Sequence, residues 1–501
     1  MSIHARLRAV HDLSMPRARE VAGLHEYDGR VQDLSATGVR RGLTWLGQGD
    51  RAADADDEIR LRAAEQALLV RLGELDLHRR DPLLHLANLD LAGYDREYAS
   101  IWQRRTARQA HLWQWPDAVA TAIEVLDQVS APAARAALPA ARGLAALLQP
   151  EDLGGEVGRY AITLLVEHLG KAAEHGEPSA ALGEAGLTRL LSADEAIDVN
   201  LTELAERAEA ELDRVRALLD ESCRRIDPLG STKATMKTLL ADRPTADQLP
   251  SWTSGTVQEV LDWTAGLGLA TDGTCLVGLV PPSQPWQVAT MTAAAPAEPD
   301  GPSWFRVNPG DPSWSAAQRR DWLSMFARHA LPVIALHEVA PGHFTHGRAL
   351  REAGTEVRRT LIHDGFSEGW AHYVEELALE EGFRDGDPRF AAAVARDALL
   401  RVTRMACVIG LHTGTMTRQE AVQRFKTDAF LAGPAAETAA NRVVLNPTGI
   451  CYTWGKLLIR DLRERARQEW GAQFSLRRFH TALLGLGSPP LGLLGTALRA
   501  G

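Results

Sequence analysis

Helical periodicity sustained through the first half of the chain is the feature that most constrains its fold. The stretches "DEIRLRAAEQALLVRLGELDLHRR" (57–80) and "LTELAERAEAELDRVRALLDESCRRI" (201–226) repeat apolar residues three and four apart, with charges between them. Such spacing turns one apolar stripe toward a core, which a strand with alternating faces cannot do. Short stretches bearing Pro and Gly, such as "LLQPEDLGG", punctuate the helices. Residues 1–240 are therefore expected to form a helical N-terminal region.

The texture changes between about 270 and 315, where "TCLVGLVPPSQPWQVATM" and "SWFRVNPGDPSW" carry β-branched and aromatic residues edged by Pro and Gly. Two or three short strands in one small sheet are expected there. Helix should return from about 316, with breaks near 353, 384, 433 and 446. The second region, 241–501, contains no repeat or low-complexity linker, so the two regions are expected to form one compact, mainly α-helical unit.

Composition narrows the function classes. Of 501 residues 45% are apolar, enough for a sizeable core, and the net charge of −10 is spread among interspersed acids and bases. That mixture marks no nucleic-acid surface. The N-terminus lacks the apolar segment of a secretory signal, and no run approaches the roughly 20 apolar residues that span a bilayer. Neither nucleic acid nor membrane is expected as a partner. Cys223, Cys275, Cys407 and Cys451 lie far apart without CxxC spacing. They read as reduced thiols of a cytoplasmic protein, which leaves no cysteine-based zinc site.

The chemistry-bearing stretch is "VIALHEVAPGHFTHGRAL" (333–350). His337 and Glu338 open it like the zinc motif HExxH, in which two histidines one helical turn apart reach one ion and the glutamate takes a proton from water. Here Pro341 occupies the second histidine's position, and the next histidines are His343 and His346. Residues six apart point roughly 240° apart on an ideal helix. Pro341, however, has no N–H to offer the carbonyl of His337, and Gly342 tolerates unusual backbone. A helix that breaks there could turn His343 back beside His337; the alternative is a group of ordinary histidines.

A third ligand is offered by "FSEGWAHYVEELALEEG" (366–382), a helical pattern with Glu368 in its first turn and His372 and Glu375 on the same face. Two histidines and a glutamate leave a zinc position open to water. Glu376, Glu380 and Glu381 are expected to face solvent, while His363 and Asp364 compete with Glu368 as ligands.

On these residues the chain resembles DUF885, a family of bacterial proteins grouped with zincin-type metallopeptidases. Its hallmark is similar to H-E-x-x-P-G-H, here His337 through His343, followed by E-G-W-A-x-Y-x-E, here Glu368 through Glu375. Further similar pieces are "GLHEYDGRVQDLS", "RVTRMACVIGLH", "NPTGICYTWGK" and "FHTALLGLGSPPLGLL". The resemblance implies a large helical zincin-like (gluzincin-type) fold, Zn2+ on His337, His343 and Glu368, and Glu338 as general base. The chain departs from the family pattern at Phe344, where a histidine is expected, at His346, in place of glutamine, and at Val408, in place of aspartate.

A hydrolase also needs donors for the oxyanion of its transition state, and Tyr452 and His412 are the candidates. Arg401, Arg404 and Arg442 fall in packed helix, where a guanidinium either pairs with core acids or clamps a substrate carboxylate; pairing is expected for at least two of them. His346 is a further substrate-side candidate or a replacement ligand. His329 and His372 are expected to be structural, with His372 able to support a ligand.

The expected function is zinc-dependent hydrolysis of an amide bond in a peptide or peptide-like substrate. Two other functions fit the residues: a zincin scaffold reused for metal-dependent biosynthetic chemistry on a small metabolite, and a helical binding protein that has lost its metal.

Overall fold

A computed structural model describes residues 3–269, 272–298 and 301–500, and its architecture is mainly α-helical with one small sheet. Seven helices frame the site: α1 (Leu201–Ile226), α2 (Leu331–Glu338), α3 (His343–Arg351), α4 (Asp364–Glu380), α5 (Pro388–His412), α6 (Gly433–Leu445) and α7 (Cys451–Trp470).

The amphipathic α1 starts where Asn200 accepts hydrogen bonds from the amides of Thr202 and Glu203, which satisfies two of the free N–H groups at a helix start. It buries Leu204, Ala208, Leu212, Val215 and Leu219 along α5. α5 begins with Pro388 behind the capping side chain of Asp387 and is buried over nearly its whole length. A helix covered on all sides belongs at the centre of a large domain. Its apolar neighbours form one continuous core that draws Leu86, Trp115 and Leu165 from the first half and Phe366, Val402 and Ile459 from the second.

The sheet has the order β1–β3–β2, with β1 (Cys275–Leu279) parallel and β2 (Ala289–Thr292) antiparallel to the central β3 (Ser303–Val307). Period-2 alternation is plain in β3, where Ser303, Phe305 and Val307 are buried and Trp304 and Arg306 are half-buried.

Two helices meet backbone to backbone. A Cβ on Gly369 of α4 would come within 2.6 Å of the Gly455 Cα, and a Cβ on Gly455 of α7 would come within 2.2 Å of the Gly365 carbonyl oxygen. Gly455→Ala is therefore expected to destabilise the fold by about 1–3 kcal/mol and to weaken metal uptake through the displaced Glu368. A denaturant midpoint equal to that of the wild type would show that the crossing has slack.

One expectation about α4 is corrected. Glu376 does not face solvent: it is buried and bonds the ammonium of Lys456, itself fully buried, at 2.6 Å. Lys456 also takes Glu211 of α1, and Arg214 joins both acids. A buried ammonium needs carboxylates around it, and that requirement draws Glu376 inward. Glu380 and Glu381 do face solvent. No described helix is long and apolar enough to cross a membrane.

Candidate metal centre

α2 stops at Glu338, and the next four residues redirect the chain. Val339 takes φ −102° and ψ −92°, the Ala340–Pro341 bond is cis, and Gly342 takes φ −75° and ψ −130°. The amides of Phe344 and Thr345 then turn back to donate to the Val339 carbonyl at 3.0 and 3.3 Å. Only glycine fits at 342, because a Cβ there would sit 1.8 Å from the His337 carbonyl oxygen. The break is tied to α4 by Trp370, whose Nε1–H donates to the Pro341 carbonyl at 2.9 Å.

The redirected chain brings His343 against His337, with ring centres 4.9 Å apart and planes nearly perpendicular. Glu368, one turn into α4, faces both: its Oε2 lies 3.4 Å from Nε2 of His337 and 3.3 Å from Nε2 of His343. One ligand atom from each of these residues falls within 4.8 Å of the others, the grouping in the described residues that could hold a metal ion. Glu368 Oε2 is buried yet accepts no hydrogen bond from either ring. A buried carboxylate oxygen without a donor is costly, and a cation between the three atoms would satisfy it.

His337 is oriented from behind. Its Nδ1 meets Glu375 Oε1 at 2.7 Å, so Nδ1–H is donated to the carboxylate and Nε2 is turned toward Glu368 and His343. Glu375 is fully buried and is held in turn by Arg401 at 3.0 Å and by Nδ1 of His372 at 3.1 Å. Arg401 also binds Asp397 one turn back on α5. Burial and the Arg401 charge work against protonating His337, but the Glu368 and Glu375 carboxylates outweigh them and lift it to about 9. Burial would raise Glu368; the charge of His343 and the nearness of both the His337 and His343 imidazoles overcome it and hold this carboxyl well below its ordinary value. The centre favours positive charge.

A cavity of about 960 Å³ opens over these groups, lined by His337, Glu338, His343, Glu368 and Tyr452 and also by Thr290 and Met291 of β2. Glu338 is 8% exposed and makes no hydrogen bond or ion pair among the described residues. Tyr452 lies parallel to His337 with ring centres 6.1 Å apart. Burial, then the Glu368 charge, push its phenol above the ordinary value, so it remains an O–H donor.

The other candidates separate. His412 is corrected: it does not line the cavity, and its Nε2 bonds the Val443 carbonyl at 2.9 Å. It ends α5, eleven residues beyond Arg401, roughly 16 Å along the axis at 1.5 Å per residue. Arg401 is corrected as a substrate clamp, since Glu375 and Asp397 match its charge. The pairing expected for a second arginine is absent: neither Arg404 nor Arg442 joins an ion pair among the described residues, although both line the cavity. His346 lines it too, but its Nε2 meets the Gly487 carbonyl at 3.2 Å, and burial, then the nearby His343 charge, lower it to about 4.

His363 and Asp364 are engaged with the Asp194 carbonyl and Arg17. Phe344 and Val408 are core residues outside the lining. Sequence reasoning gave no role to Asp397 or to Ser367, whose Oγ lies 3.4 Å from His343 Nδ1. The one available signal was for Glu375, seven residues past Glu368 on the same helix face.

A family model described as "Bacterial protein of unknown function (DUF885)" matches residues 16–498. Two solved structures are similar over 99% of this chain. One is "a putative lipoprotein of unknown function" from Shewanella oneidensis, 19% identical, with a TM-score of 0.76 over 98% of its own chain. The other is a "putative lipoprotein" from Colwellia psychrerythraea, 17% identical, also with a TM-score of 0.76 over 98% of its chain. At those identities the likeness is one of fold. No curated protein matches the chain.

Proposed function

The chain belongs to the DUF885 family of bacterial proteins, and we propose that it is a zinc-dependent hydrolase with a zincin-like centre, cleaving an amide bond of a peptide or peptide-like substrate. The observation that carries this is the convergence of His337, His343 and Glu368 beside an unpartnered Glu338 at the wall of a large cavity. Nε2 of each histidine and a carboxylate oxygen of Glu368 would hold the ion, and the donorless Glu368 Oε2 fits that role. When bound, Zn2+ supplies the Lewis acidity that makes water acidic and an amide carbonyl electrophilic at neutral pH.

The protein's own groups account for the rest. The Glu338 carboxylate accepts the proton of the attacking water and returns it to the departing nitrogen. Tyr452 donates its O–H to the carbonyl oxygen as charge develops there. Glu375, backed by Arg401 and Asp397, keeps the His337 ring in one orientation. The cavity is large enough for a peptide-sized ligand.

Protein purified without chelator is expected to carry stoichiometric zinc and to hydrolyse members of a peptide-amide panel. No bound metal together with no affinity for added Zn2+ would sink the proposal. Turnover confined to a small amide would keep the chemistry and change the substrate class. Glu375→Gln, which keeps the shape of the side chain but removes its charge, is expected to weaken zinc binding about 10–100-fold, measured by competition with a chromogenic chelator.

A further inference from the structure

Two positive charges in the cavity have no anion among the described residues. Arg404 of α5 is 7% exposed, and its Nε is buried without a hydrogen-bond partner. Arg442 of α6 is half-buried, and among the described residues its Nη2 donates only to the Tyr452 hydroxyl, at 3.3 Å. Both guanidinium groups touch one side chain: Arg404 Cζ lies 4.9 Å from the centre of the Tyr452 ring, and Arg442 meets its hydroxyl. That contact adds cation–π attraction but no counter-charge. Burial, then the charge of Arg442, draw Arg404 down to about 10. Arg401, three residues earlier on the same helix, is by contrast matched by two carboxylates.

A buried cation without a partner costs stability, so a pair of them facing a cavity suits a ligand that brings the missing charge. Guanidinium groups favour planar oxyanions, which they bind through paired N–H bonds. Tyr452 fixes the spacing: one face lies toward His337 and its hydroxyl touches Arg442. An anion at the arginines would thus sit about one aromatic side chain from the metal ligands. In extended peptide that span is one or two residues at roughly 3.3–3.6 Å each.

We propose that Arg404 and Arg442 bind a free carboxylate of the substrate, so that the amide cleaved lies one or two residues from a C-terminal carboxylate. The substrates are then acylated amino acids, whether small N-acyl amino acids or the ends of peptides. The nature of the bond rests on the hydrolase proposed above; the anion site rests on the arginines alone.

The test uses the full chain stripped of metal with chelator, so that no ion competes for the carboxylate. Calorimetric titration compares N-benzoylglycine with its carboxamide, and a pentapeptide acid with its C-terminal amide. The wild type is expected to favour the acid at least about tenfold, in the first pair alone if small acyl amino acids are the substrates and in both pairs if peptides are. Arg404→Gln and Arg442→Gln should each remove most of that preference.

Without ligand, Arg404→Gln should hold or raise the thermal midpoint, whereas loss of a merely structural arginine would lower it. Equal affinity for acid and amide, or no detectable binding of either at millimolar concentration, overturns the proposal. Inorganic phosphate binding as tightly as N-benzoylglycine overturns the assignment to carboxylate. Because metal is absent throughout, neither result depends on whether Zn2+ binds, and zinc uptake measured separately stands or falls alone.

Discussion

Glu338→Gln is expected to lower kcat about 10²–10⁴-fold while zinc content and thermal midpoint stay at wild-type levels. The substitution preserves volume and removes only the charge and the proton-accepting capacity. Glu338 ends α2, directly after His337, and its carboxylate borders the cavity without a hydrogen bond or ion pair among the described residues. No packing or pairing is lost when it changes, so a fall in rate would report chemistry. Steady-state kinetics on zinc-quantified protein, with KM resolved from kcat, is the measurement. Turnover that survives the change would remove Glu338 from the reaction.

Glu368→Ala should abolish zinc retention, a larger effect than the about 10–100-fold weakening expected for Glu375→Gln. It takes away the acceptor that both imidazoles face at 3.3–3.4 Å and leaves two neutral ligands. His346→Ala is the contrasting variant and should leave zinc content unchanged, because its Nε2 bonds the Gly487 carbonyl. Metal analysis after gel filtration reads both. Zinc lost from the His346 variant and kept by the Glu368 variant would reverse the ligand assignment.

Helix, the small sheet and the break at Pro341–Gly342 were legible because each is written in neighbouring residues: a stripe, an alternation, a missing N–H. What escaped depends on partners distant in sequence. Glu375 meets His337 across 38 positions, and Glu376 is drawn inward by Lys456 from 80 positions away. The three arginines look equivalent as letters, yet Asp397 one turn back and Glu375 on another helix match only Arg401. His412 failed for a simpler reason: it lies on the same helix as Arg401 and Arg404 but too far along it. Spacing along a chain identifies which residues share a helix face, whereas charge matching is decided by what the neighbouring helix presents.

The glycine crossing of α4 and α7 has a practical consequence for anyone altering specificity. It joins the helix of Glu368 to the helix of Tyr452 with no side chain between them at Gly369 and Gly455, so the proposed metal ligand and the proposed oxyanion donor sit on directly packed helices. Thr290 through Ala293, on and just after β2, line the same cavity, contribute no candidate ligand and lie on or beside a strand paired on one side only. Libraries confined to those residues would vary the lining of the cavity while leaving the proposed metal ligands unchanged, so the shape of the pocket and the proposed centre can be altered separately.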